Sequence, residues 1–169
     1  IFKSKLPSGF ICNDILKLYS VGWPSVAIKK DVFKNKVKPF DEKLDMLSDY
    51  DFVIKYSMKK KIGVLQEPLA IYREHSNQLS RKNFFFQAEQ FLRWFHDIKK
   101  LNKIRKYKNF FKLREKYELF NAILKINSEI SFFKKIHYVK EAKFKKNKAK
   151  AFLFLILDKF YIKYLLSTS

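Results

Sequence analysis

Two groups of side chains in this sequence have the types and spacing for chemistry. Ser48-Asp49-Tyr50-Asp51 opens an apolar run, Phe52-Val53-Ile54, whose spacing is helical. Asp49 thus falls in the first turn of a helix, where free N–H groups favour a carboxylate and keep it ionised. An ionised carboxylate can take a proton from a hydroxyl held against it. Arg73 and His75 alternate at the end of Leu69-Ala70-Ile71-Tyr72, so on a strand both point to one side. Together they suit a diphosphate or, through the imidazole, a divalent metal ion. Each also has a plain structural use: Asp49 as a helix cap, Arg73 as an ion-pair partner, His75 as a surface histidine. Phosphate-loop, GxGxxG and HExxH patterns are absent, and His75, His96 and His137 are scattered. Cys12, the single cysteine, has no local support as a nucleophile and reads as a buried thiol.

The elements that must position these residues change character near Ser80. Before it, short apolar runs alternate with turn signals. The spacing predicts a helix over Ile11–Tyr19, broken at Trp23-Pro24-Ser25, and a strand at Val26-Ala27-Ile28. Asp31 suits the cap of a brief helix around Val32-Phe33, and Pro39 marks a loop over 37–41. A helix is expected from Asp49 to Lys60, then strands at Ile62–Leu65 and Leu69–Tyr72. That alternation implies an α/β layer. After Ser80 there is neither Gly nor Pro, so helices are expected to the end. Phe84, Phe85, Ala88, Phe91, Leu92 and Phe95 form one apolar stripe. Leu113, Tyr117, Phe120, Ile123, Leu124 and Asn127 form another. The division expected is residues 1–80 and a helical, Lys- and aromatic-rich extension, 81–169.

Charge separates the same halves. Of 169 residues, 37 are Lys or Arg and 16 Asp or Glu, a formal net charge of +21. Residues 1–80 hold 14 basic and 9 acidic side chains, and residues 81–169 hold 23 and 7. A field of that sign suits anionic lipid, nucleic acid or phosphorylated glycan. Only five of the basic residues are Arg, whereas base readout favours the planar guanidinium, so nucleic acid is the less favoured partner. The run Phe152–Leu157 is far short of the roughly 20 apolar residues that a spanning helix needs. It suits either the lipid headgroup region or docking onto the rest of the chain. The sequence opens at Ile1 without a charged-then-apolar leader, so the expectation is part of a longer, cytoplasmic protein.

Several blocks taken in order resemble a known family. Trp23-Pro-Ser-Val-Ala-Ile-Lys-Lys-Asp-Val-Phe33, Pro39-Phe-Asp-Glu-Lys-Leu44, Ser48-Asp-Tyr-Asp-Phe52 and Ile62 to His75 are similar to the C-terminal half of family 2 glycosyltransferases, of GT-A fold. The likeness covers residues 1–80. It implies the C-terminal part of an α/β sandwich, with Asp49 as general base of an inverting sugar transfer. The position before that base, commonly acidic in the family, is Ser48. The resemblance further implies that Arg73 and His75 lie near the donor diphosphate and its metal, His75 being a candidate ligand. Trp23, Ser25 and Asp51 would fall on the acceptor side.

The implied substrates are a nucleoside-diphosphate sugar and a glycan or lipid-linked acceptor of cell-surface polysaccharide synthesis. Mg2+ or Mn2+ is the implied cofactor, held mainly by an upstream half, without which the chain should not transfer sugar. The basic extension would rest peripherally on the inner face of the plasma membrane. The alternatives are a basic nucleic-acid-binding module and a helical interaction module.

Overall fold

The computed structural model describes residues 5–33, 39–71, 73, 84–144 and 146–156. Among these residues there are seven α-helices and no strand. The helices are α1 (Cys12–Lys17), α2 (Ser48–Ser57), α3 (Phe84–Ile98), α4 (Asn102–Arg105), α5 (Phe110–Ser128), α6 (Phe132–Glu141) and α7, residues 146–156. Two 3-10 turns, Trp23–Ser25 and Lys30–Phe33, lie between α1 and α2.

This corrects the expected fold. The α/β sandwich of GT-A type is not present in the described residues. A short β-prone run becomes a strand only where a neighbour takes up its backbone N–H and C=O groups. Residues 26–28 have no ladder partner. Ile62 makes a single antiparallel bridge, to Gly9, with both N–H to O=C distances at 2.8 Å. Leu65, Leu69 and Ile71, expected on strands, are exposed, Ile71 to 97%. Gly9 adopts φ +97°, a conformation open to glycine at little cost, and this turns the chain into α1.

The chain divides into two units, residues 1–75 with 97–110, and residues 76–96 with 111–169. In the first, α1 packs on α2 and buries Ile11, Cys12, Ile15, Leu16, Val53 and Ile54. Ile98 and Ile104 are buried as well. Polar contacts tie distant stretches together here. Asn13 Oδ1 accepts from the Asn109 backbone N–H at 2.9 Å, and the Asn109 side-chain amide donates to the Asn13 carbonyl at 2.8 Å. Cys12 hydrogen-bonds Ser57 and Tyr107, and burial nevertheless pushes its thiol pKa up, which keeps it protonated at neutral pH.

The second unit is built from longer amphipathic helices. Phe84 and Ala88 of α3 meet Leu119, Ala122, Ile123 and Ile126 of α5, Val139 of α6, and Ala151 and Phe154 of α7. Phe91 lies edge-on to Phe120 at 5.4 Å, and Phe95 packs on Tyr117 at 4.7 Å. Lys116 Nζ stands 5.0 Å over the Phe91 ring, so a lysine stem covers the aromatic seam. Asn147 donates to the Glu115 carbonyl at 2.7 Å, which ties the start of α7 to α5. None of the described helices is long and apolar enough to cross a membrane.

Candidate functional site

In the first unit, described residues from three stretches line an open cleft of about 610 Å3. The 3-10 turn Lys30–Phe33 contributes Val32. The turn after Pro39 contributes Phe40, Asp41, Glu42 and Lys43, and α2 contributes Asp51, Phe52, Lys55, Tyr56 and Lys59 or its C-terminal flank. Local chemistry sets the turn: Asp41 Oδ1 accepts from the Lys43 N–H at 3.0 Å, its carbonyl accepts from the Leu44 N–H, and Leu44 is buried. Glu42 and Lys43 are thereby held outward, toward the cleft.

The wall is aromatic. Phe52 is its hub, with Phe40 at 5.2 Å, Tyr56 stacked at 5.7 Å and Phe33 stacked at 6.4 Å. Trp23 stands edge-on to both Phe40 and Phe52, at 5.5 and 6.1 Å. Such ring pairs prefer these offset and edge-on geometries and stiffen the surface that they form.

The rim is polar and balanced. Asp41, Glu42 and Asp51 face Lys43, Lys55 and Lys59, three carboxylates against three ammonium groups. Asp51 is only 2% exposed, and Lys55, one turn on, donates to its Oδ2 at 2.7 Å. In a chain of +21 the cleft is locally close to neutral, which disfavours a polyanion and suits a neutral polar molecule.

Asp49 occupies the first turn of α2, as the sequence predicts, and is half-buried. Its Oδ1 accepts from the Tyr50 N–H at 2.7 Å. Asp49, Phe52 and Tyr56 fall at i, i+3 and i+7 on α2, and whereas Phe52 and Tyr56 line the cleft, Asp49, one turn earlier, is not among its lining residues. Tyr19 and Tyr50 pack behind it, ring centroids 4.6 Å apart. Burial, and then the Asp49 charge, push the Tyr19 hydroxyl pKa well up, and burial does the same for Tyr50. The Tyr19 hydroxyl is buried with no hydrogen-bond partner among the described residues, a neutral donor beside the carboxylate.

The remaining expected residues are dispersed. Trp23 is 37% exposed at the cleft edge, and Ser25 turns back to donate to the Gly22 carbonyl at 2.8 Å. Arg73 is exposed. His75 and Tyr72 lie outside the described residues, so the expected convergence of residues 49, 73 and 75 does too. No group of three His, Cys, Asp or Glu side chains among the described residues is placed to hold a metal.

Sequence reasoning had not assigned Phe40, Lys55, Tyr56 and Lys59 to a site. The available signal was the recurrence 52, 55, 56, 59, which marks one helix face, opposite the turn at 40–43.

Comparison with family models, curated proteins and solved structures finds no match to this chain. With the strandless fold, this overturns the expected membership of the family 2 glycosyltransferases.

Proposed function

We propose that the first unit binds a neutral sugar in the cleft and serves a sugar-transfer reaction as its acceptor side. The support comes from the cleft and not from family likeness. Sugar rings present C–H faces that lie against aromatic rings, and hydroxyls that need donors and acceptors around their edge. Phe40, Phe52 and Tyr56 offer the first, and the six balanced charges offer the second. The charge-balanced aromatic cleft is the single observation that carries the reading.

Asp49 is the group proposed to take the proton from the acceptor hydroxyl as it attacks the anomeric carbon of a nucleoside-diphosphate sugar. The helix start keeps it ionised. General-base assistance of this kind is worth about 10²–10⁴-fold in rate. Arg73 and His75 are the residues that would hold the departing diphosphate of the donor, and a divalent metal ion would supply further charge neutralisation there.

Trp23 touches both Phe40 and Phe52 and so reports on the cleft. Titration with neutral oligosaccharides, followed by Trp23 fluorescence in a Trp94→Phe background, should give a saturable change that Tyr56→Ala abolishes. In the natural gene product, Asp49→Asn should lower transfer at least a hundredfold and leave oligosaccharide binding in place. An absence of any response to sugars, or full turnover by Asp49→Asn, would overturn the assignment.

A further inference from the structure

In the second unit, α5 and α6 meet at a corner that projects apolar side chains into solvent. Ile130 is 97% exposed, Phe133 is 85% exposed, and Phe132 between them is exposed as well. Scattered single apolar residues on a surface carry no message, but three within four positions form a patch. The corner is held in place. The Glu129 carboxylate accepts from the N–H groups of Ile130 and Ser131 at 3.0 and 3.1 Å, and Lys134 lies 3.8 Å from its other oxygen. Those bonds pull the Glu129 carboxyl pKa below its ordinary value, so the clamp is ionised at neutral pH. From the inner side, Val139 and Ala142 are buried, which fixes α6 and leaves Phe133, Lys134, His137 and Lys140 outward.

We propose that this corner is a wedge that enters the headgroup region of an anionic bilayer. Two features favour a membrane over a protein partner. The apolar residues stand 60 to 97% exposed at the junction of two helices. Around them the sequence is strongly basic: residues 128–150 contain eight Lys and two Glu, a net +6 within the +16 of residues 81–169. Apolar side chains that insert among lysines resting on lipid phosphates make a peripheral contact, with no spanning segment required. The contact is placed at 130–133 because its apolar residues are the more exposed: in the run 152–156 Phe154 is buried in the core and Phe152, Leu153 and Ile156 are 41 to 59% exposed.

Vesicle flotation with the whole chain tests the proposal. Binding should require phosphatidylglycerol or phosphatidylserine, be absent on phosphatidylcholine alone, and fall steeply with salt. Phe132→Ser/Phe133→Ser should reduce partitioning at least tenfold. Lys134→Gln/Lys140→Gln should reduce it by about fivefold per charge. In a Phe133→Trp variant the new indole should shift its emission to the blue and be quenched by brominated lipid. The wedge is overturned if the serine variants float like the parent, if the indole stays unquenched, or if phosphatidylcholine binds equally. A dimer in solution that the serine pair dissolves, without vesicle binding, would assign the corner to a second copy instead. None of these outcomes depends on whether the cleft binds sugar.

Discussion

The two units solve the same burial problem with different means. In the second, three helices of 10 to 19 residues, with α7, interlock Phe, Ile, Leu and Ala side chains around one apolar cluster. In the first, α1 and α2 have 6 and 10 residues, and the described residues between them form two short 3-10 turns and otherwise irregular backbone. Short helices bury little apolar surface, so single polar links carry more of the order: Asn13 with Asn109, Gly9 with Ile62, Cys12 with Ser57 and Tyr107. The difference teaches where a site can form. Irregular backbone brings residues 32, 40–43 and 51–59 together around one cleft, whereas regular helices consume their faces in packing and leave only corners free.

The sharpest way to break this contrast is to carve the apolar cluster. Ile123 is completely buried, and Ile123→Ala should cost about 2–5 kcal/mol. Trp94 belongs to the second unit and Trp23 to the first, so single-tryptophan variants in urea read each region separately. The Trp94 midpoint should fall by far the more. Equal shifts in both probes would mean that the two regions melt as one.

The converse variant targets a polar link. Asn13→Ala leaves the Asn109 backbone N–H without its acceptor, while the Asn109 amide keeps the carbonyl of residue 13, and should cost about 1–3 kcal/mol in the Trp23 transition. An unchanged midpoint would show that the first unit does not lean on this pair.

Alkaline pH sharpens the contrast from another direction. Tyr19 and Tyr50 ionise less readily when folded than a tyrosine of ordinary pKa, about 10. Their contribution is fully present below pH 10 and is lost as pH rises, because only the unfolded chain then sheds the protons. The Trp23 midpoint should therefore drop above pH 10, and Tyr19→Phe should blunt the drop.

The smallest effect expected is at the α5–α6 corner. The Glu129 carboxyl pKa is depressed, so its contribution is present above pH 4.5 and fades as pH falls through the lower folded value. The protection of the Ile130 and Ser131 amides against exchange, relative to the intrinsic rate at the same pH, should fall on acidification without any loss of the apolar cluster. Glu129→Gln should already exchange fast at neutral pH.

Much of the helical content was legible because its signal is local. The stripe from Phe84 to Phe95 is α3, and Phe84, Ala88, Phe91 and Phe95 are buried as the 3–4 spacing requires. The first turn at Asp49 was equally readable, since α2 begins at Ser48. The second stripe was partly placed: Leu113 and Ile123 are buried as expected and Tyr117, Phe120 and Leu124 half-buried, whereas Asn127 is exposed and Leu119, Ala122 and Ile126 join the buried set. Strands failed for a physical reason. Val26-Ala27-Ile28 has strand composition, but composition cannot say whether a second backbone lies 4.8 Å away to complete the ladder. The cleft was half legible, because α2 has a recognisable face whereas the approach of Phe40 and Val32 depends on loops.

The first unit is discontinuous in sequence, since Ile98 at the end of α3 returns to it, followed by Ile104, Tyr107 and Asn109. A ribosome delivers residues in order, so residues 1–75 emerge well before the pieces that finish their own interior. Throughout that interval the nascent chain holds Cys12, Ile15 and Ile54 only partly covered, and the first half of α3 is already outside. The interior of the first unit is thus complete only once residue 109 has emerged, and a pause in translation before that point would hold it unfinished.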